Sequence, residues 1–140
     1  MKKVLVICTG NSCRSIMAEA LINHYLGDEW QAFSAGTHPS RVHPYAINAL
    51  QEIGVATEGL CSQSISEYWH RQDIDLVITV CDSASARCPV WPAPAKQIHM
   101  SFADPVNYKA RSFDEDMRGF RIVRDEIVKD LLPLLQEEDA

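Results

Sequence analysis

Eight consecutive residues near the start of the chain, Cys8-Thr9-Gly10-Asn11-Ser12-Cys13-Arg14-Ser15, put a nucleophile, turn-prone residues, hydroxyls and a guanidinium within one loop's length. The apolar run Val4-Leu5-Val6-Ile7 precedes them and a helical pattern follows, so the loop is expected at a strand-to-helix turn. Such a turn points successive backbone N–H groups at a common centre. The positive end of the helix adds to them, and together they make an anion site. Gly10 and Asn11 suit the left-handed backbone that a tight loop needs. Arg14 can present paired N–H donors to an oxyanion. A thiol at the head of this loop is held as thiolate by the same field that holds the anion, and Ser15 can hydrogen-bond its sulfur. Oxyanion binding is therefore assigned to Thr9, Gly10, Asn11, Ser12, Cys13, Arg14 and Ser15, with Cys8 as the nucleophile.

A second group lies far away in sequence. Cys81 directly follows the run Leu76-Val77-Ile78-Thr79-Val80, Cys88 comes seven residues later, and Asp104 follows a further strand expected at 97–100. If the sheet is parallel, Cys8, Cys81 and Asp104 all leave its carboxyl edge, where such sheets bind ligands. Were 82–87 helical, Cys81 and Cys88 would stand about 10 Å apart. A disulfide needs Cα atoms roughly 4.4–6.8 Å apart, so the segment would have to unwind for the two to bond. It lacks large apolar anchors and runs into Pro89, which suits that. The two can be read as a pair or as unrelated thiols. Their spacing does not match common zinc sites.

The elements that must position these groups alternate. Strands are expected at 4–7, 31–35, 76–80 and 97–100, and helices at 15–26 and 42–53, with a last helix from near Ser112. In the first helix Met17, Ala20, Leu21 and Tyr25 form the apolar face. In the second it is Val42, Ala46, Ala49, Leu50 and Ile53. In the last it is Phe113, Met117, Phe120, Val123, Ile127, Leu131 and Leu134. Ser112 and Glu115 read as a capping box, and Pro133 is expected to kink or weaken the final turn. Glu137-Glu138-Asp139 reads as a solvated tail, and Pro89–Pro94, around Trp91, as a loop that could contribute to a docking surface. Alternation predicts an α/β fold with a four-stranded parallel sheet in a three-layer αβα arrangement.

Composition narrows the function classes. One domain, 1–140, is expected from the length. With 13 basic and 19 acidic residues the net charge is -6, which excludes the basic footprint of a nucleic-acid binder. The apolar run at the start is about five residues, short of the ~7–15 of a signal sequence, and nothing approaches the ~18 of a membrane span. A cytoplasmic protein without membrane contact is expected. Its five cysteines are an odd number, which fits poorly with a closed disulfide framework and well with working thiols.

The loop at 8–15 resembles the phosphate loop of the low-molecular-weight protein tyrosine phosphatases, and the resemblance extends over nearly the whole chain, through Ser34-Ala35-Gly36 to Asp104-Pro105. It implies their flavodoxin-like fold, with Cys8 as nucleophile, Arg14 as oxyanion clamp and Asp104 as general acid. Asp104-Pro105 is followed by Val106-Asn107 rather than by the aromatic residue usual in the phosphatases. Thioredoxin-coupled arsenate reductases share this fold and loop and carry a Cys-x6-Cys pair after the third strand, as Cys81 and Cys88 do here. That resemblance implies arsenate reduction for arsenic detoxification through a Cys8/Cys81/Cys88 relay, with thioredoxin as reductant and phosphate or sulfate as competing anions. A monomer is expected, although the sequence itself does not give the oligomeric state. Some of these reductases bind potassium; Asn11, Glu19 and Ser34 match that site, but Cys61-Ser62-Gln63-Ser64 supplies no acid, so no cofactor is expected. A tyrosine phosphatase and a non-enzymatic anion-binding redox sensor are the alternatives. Cys13 is read as a loop thiol or buried filler, and Cys61 as a spare.

Overall fold

The computed structural model of the chain describes residues 1–8, 10, 13–80, 95–102 and 113–138. Strand β1 is Lys2–Cys8, followed by α1 (Arg14–Leu26), β2 (Trp30–Gly36) and α2 (Pro44–Glu52). A 3₁₀ turn at Ile65–Glu67 leads to β3 (Leu76–Thr79) and β4 (Lys96–His99). The chain ends in α3 (Phe113–Glu126), a π-helical turn (Ile127–Leu131) and α4 (Leu132–Glu138). The four strands form one parallel sheet in the order β2-β1-β3-β4. The expected strands and the first two helices are present, with ends shifted by one or two residues.

Residues 4–7 are all fully buried because β1 is central, flanked by β2 and β3 and covered on both faces. The period of two still sorts the side chains. Val4, Val6 and Cys8 join the larger core under α1, α2 and the C-terminal helices, as do Leu76 and Ile78 of β3. Leu5, Ile7 and Val77 face a smaller core closed by Ala35, Tyr68 and Ile74, with Ile65 and Trp69 packed against it. Among the described residues, the sheet thus lies between a thick helical layer and a thin layer made from the 3₁₀ turn and the chain around it.

Helix α1 is buried over much of its girth, with Ile16, Met17, Ala18, Ala20, Leu21, Ile22 and Leu26 inside. Tyr25 departs from the expected apolar face. It is exposed, its ring edge against His24 at 4.7 Å, and Leu26 fills the inward position in its place. Helix α2 starts at Pro44, whose fixed φ suits a first helical position. His43 caps it, its Nδ1 accepting from the Tyr45 N–H at 3.1 Å.

The C-terminal helix is not interrupted at Pro133. Proline has no N–H to give the carbonyl four residues back, and the wide π turn at Ile127–Leu131 lies where that bond is lost. A π turn holds an extra residue, so the inward stripe Met117, Phe120, Val123, Ile127 and Leu131 continues at Leu135, fully buried, rather than at the half-buried Leu134. Glu137 and Glu138 are the last residues of α4, and Glu137 is exposed to solvent. Ser112, Trp91 and the loop at 89–94 lie outside the described residues, as does Asp139.

Candidate active site

Cys8 is the last residue of β1, paired with Gly36 of β2, and its side chain is 2% exposed on the α1 side of the sheet. At the second residue of α1, the fully buried Ser15 brings its Oγ to 2.9 Å from the Cys8 Sγ. A serine hydroxyl can donate to either a thiol or a thiolate, so this contact suits a nucleophile that changes charge. Arg14, the first residue of α1, is buried, and its Nη1 donates to the Phe102 carbonyl at 3.3 Å. Phe102 lies three residues beyond β4. The guanidinium is thereby tied to the chain leaving the same edge of the sheet.

The helix itself begins with the Met17 N–H on the Cys13 carbonyl at 2.8 Å. Cys13 is buried, provides no side-chain cap, and no acidic residue stands in the first turn. The leading N–H groups of a helix are those that anions recognise.

The loop between β1 and α1 is held at its described points by neighbouring chain. The Thr37 N–H donates to the Cys8 carbonyl at 3.3 Å. The Gly10 carbonyl accepts from the Ser40 N–H at 3.0 Å, the Ser62 hydroxyl at 3.1 Å and the Ser40 hydroxyl at 3.4 Å. The stretch carrying Ser62 is fixed in turn. Gln63 accepts the Gly36 N–H at 2.8 Å, Ser64 bridges to Gly36, and a Ser64–Glu67 capping box closes the 3₁₀ turn.

Behind the loop, the buried Ser34 donates from Oγ to Glu19 Oε1 at 2.5 Å. Burial pushes the Glu19 carboxyl above its ordinary value, and the Ser34 hydrogen bonds pull it part of the way back. Gln63, in the stretch where an acid was sought, accepts from the Tyr68 hydroxyl at 2.5 Å. Among the described residues no three His, Cys, Asp or Glu side chains are grouped to hold a metal ion. At the exits of β3 and β4, His99 sits between two hydroxyls, with Nδ1 2.7 Å from Thr79 Oγ1 and Nε2 3.0 Å from Ser101 Oγ. It fastens together the strand ends from which the chain runs to Cys81 and Asp104.

Residues 3–139 match the low molecular weight phosphotyrosine protein phosphatase family. The chain belongs to that family. Within it, the sequence is 43% identical over 129 residues to an arsenate reductase of Halalkalibacterium halodurans, covering 91% of each chain. Two solved structures have similar folds, each covering 98% of both chains. One is an arsenate reductase in the phosphate binding state, with a TM-score of 0.76 and 29% identity. The other is an arsenate reductase in the oxidized state, with a TM-score of 0.80 and 28% identity.

Of the expected site residues, the structure brings Cys8, Cys13, Arg14 and Ser15 together at the β1–α1 junction and fixes Gly10 through its carbonyl. Cys8, Cys13 and the exposed Cys61 are thiols rather than disulfides. Thr9, Asn11, Ser12, Cys81, Cys88 and Asp104 lie outside the described residues. Sequence reasoning missed Ser40, Ser62 and the Phe102 carbonyl. Ser40 follows Pro39, a turn signal, but nothing in the sequence indicated which carbonyl it would hold. No helix among the described residues is long and apolar enough to cross a membrane.

Proposed function

We infer that this protein reduces arsenate to arsenite, using Cys8 as nucleophile and a Cys8/Cys81/Cys88 disulfide relay recharged by thioredoxin. The observation that carries the reading is the buried Cys8 Sγ at 2.9 Å from Ser15 Oγ, at the start of the helix that Arg14 opens. The similarity to arsenate reductases over nine-tenths of the chain supports the choice of substrate.

Arsenate is a tetrahedral oxyanion, and the loop at 9–15 would hold it as it would hold phosphate or sulfate, which compete. The Cys8 thiolate attacks arsenic, forming an S–As bond while Asp104 gives its proton to the departing oxygen, which leaves as water. The Cys81 thiolate then attacks the Cys8 sulfur. An S–S bond forms, the S–As bond breaks, and its electron pair stays on arsenic, so As(V) becomes As(III) as two thiols become one disulfide. Cys88 attacks Cys81, releasing Cys8 as thiolate and leaving Cys81–Cys88. The thioredoxin dithiol reduces that disulfide by exchange. Phosphorus takes no electron pair from a thiol in this way, so a phosphate ester at the same loop could only transfer its phosphoryl group to Cys8 and hydrolyse. A residual phosphatase activity follows from that. These steps use no metal, and the protein is read as a cytosolic monomer that meets thioredoxin.

The test couples arsenate to NADPH oxidation through thioredoxin and thioredoxin reductase, beside hydrolysis of p-nitrophenyl phosphate. Arsenate-dependent oxidation is expected, and brisk ester hydrolysis without arsenate turnover would overturn the reading in favour of a phosphatase. Cys81→Ser should abolish arsenate reduction and spare ester hydrolysis. Cys88→Ser should stall the enzyme as Cys8–Cys81, visible by mass spectrometry of non-reduced peptides; undiminished turnover in either variant would refute the relay.

A further inference from the structure

The geometry points to Ser62, helped by Ser40, as a positioning residue of the oxyanion loop: it holds the Gly10 carbonyl toward Ser40 and Ser62, and so keeps that oxygen from facing a bound anion. The inference rests on reading the loop at 9–15 as the anion site.

Three donors from two separate stretches converge on this one oxygen, the Ser40 N–H at 3.0 Å, the Ser62 hydroxyl at 3.1 Å and the Ser40 hydroxyl at 3.4 Å. A carbonyl has two lone pairs, so the two shorter contacts saturate it. Neither donor is a neighbour of Gly10 in sequence; they are 30 and 52 residues away. Local turn formation therefore does not explain the contacts.

The arrangement has a direct consequence for anion binding. A trans peptide points its C=O and the next residue's N–H in opposite directions within one plane. An anion-binding loop works by aiming N–H groups inward, and each such plane must then keep its carbonyl outside. At a glycine the backbone has no Cβ to resist reorientation, so the carbonyl needs an external hold. If the plane turned over, a partial negative charge would face the oxyanion. Ser62 can supply the hold because its own stretch is fastened to the end of β2 through the Gly36 N–H on Gln63 and the bridge of Ser64 to Gly36.

Calorimetric titration with inorganic phosphate tests the role, because it reads the anion loop without the relay cysteines or thioredoxin. Ser62→Ala should weaken phosphate binding about 3–10-fold, the range set by losing one neutral hydrogen bond. Ser62→Thr, which keeps a hydroxyl, should bind nearly as wild type. Ser62→Val, with the shape of threonine and no hydroxyl, should behave as Ser62→Ala. Ser40→Ala, which keeps the main-chain N–H, should lose less than Ser62→Ala. A merely structural serine would lower the melting temperature of Ser62→Val and leave the phosphate affinity of its folded form unchanged, and that result would overturn the inference. If Ser62→Ala does not fold, the threonine and valine pair decides alone, and equal affinities for the two would overturn it. If wild type does not bind phosphate, the anion-loop reading fails first and this inference goes with it.

Discussion

On the helical side of the sheet, Val4, Val6 and Cys8 meet Met17, Leu21 and, further out, Met117, Phe120 and Ile127, all with relative exposures of 2% or less. On the other side, Leu5, Ile7 and Val77 meet Tyr68, Ile74 and the partly buried Phe33, Ile65 and Trp69. The first layer is made of helices whose backbone hydrogen bonds are internal, so its side chains can spend themselves on packing. The second is a 3₁₀ turn within irregular chain, and its polar groups are engaged in fastening one piece to another. Ser62 holds Gly10, Gln63 holds Gly36 and Tyr68, and Ser64 pairs with Gly36 and Glu67. The nucleophile belongs to the thick side, while a large part of what shapes its loop comes from the stretch that leads into the thin side. Stability and loop geometry are thus carried by different parts of the molecule.

The largest effect that sharpens this contrast is expected at Leu21. It is fully buried in α1, among helices that cannot easily close over a gap. Leu21→Ala should cost about 2–5 kcal/mol, toward the upper part of that range. Leu5→Ala removes an equally buried leucine from the thin side, where irregular chain can settle inward, and should fall toward the lower part. Urea unfolding of the two variants measures both. A Leu5→Ala cost equal to or above that of Leu21→Ala would break the comparison.

An intermediate effect is expected at Arg124, which fastens two helices of the thick layer. Its buried Nη1 donates to the Ala49 carbonyl at 2.9 Å and to Glu52 Oε1 at 3.0 Å. Ala49 lies in the last turn of α2, where carbonyls lack helical partners. Glu52 also takes Arg121, whose hydrogen bond is the main reason its carboxyl lies below the ordinary value. Arg124→Met keeps the apolar stem but orphans the Ala49 carbonyl, and should cost about 1–3 kcal/mol. Arg121→Met breaks the surface pair with Glu52 and should cost under about 1 kcal/mol. Thermal unfolding separates the two, and phosphate affinity should be unchanged in both.

The sequence carried the parts that depend on neighbours in the chain. The runs at 4–7 and 76–80 identified the central strands, and the loop from Cys8 to Ser15 identified the junction because a nucleophile, a glycine and an arginine in that order suit little else. The parts that depend on distant partners could not be read. Ser40 and Ser62 reach Gly10 across 30 and 52 residues and recognise a backbone oxygen, which has no residue type to match. Tyr25 had the right spacing to face inward, but Leu26 competes for the same gap and fills it more completely. Pro133 lacks an N–H, so a kinked or weakened final turn was the expectation, but the helix continues past it through one widened turn, an accommodation that the proline alone does not announce.

The smallest effect concerns Glu19, on α1 and bonded to Ser34 of β2, and it is read through pH. Its folded pKa is raised, chiefly by burial, with Ser34 opposing the shift. Below its ordinary value of 4.5 the carboxyl is protonated folded and unfolded alike, and it contributes no pH dependence. As the pH rises past that value the unfolded chain releases the proton first. The folded chain then binds more protons than the unfolded one, and stability falls with rising pH until the folded carboxyl ionises too. Glu19→Gln removes the titration and keeps an oxygen that can accept from the Ser34 hydroxyl. Its stability relative to wild type should therefore increase across that interval and level off above it, as measured by urea midpoints from acid to neutral pH. The exposed Asp73, held well below the ordinary carboxylate range by Arg71 and Lys3, acts in the opposite sense: its contribution is lost as the pH falls. Because Asp73 is common to wild type and variant, it cancels in their difference. A difference independent of pH would show that the Glu19 carboxyl keeps its ordinary ionisation in the fold, and that the Ser34 hydrogen bond fully compensates its burial.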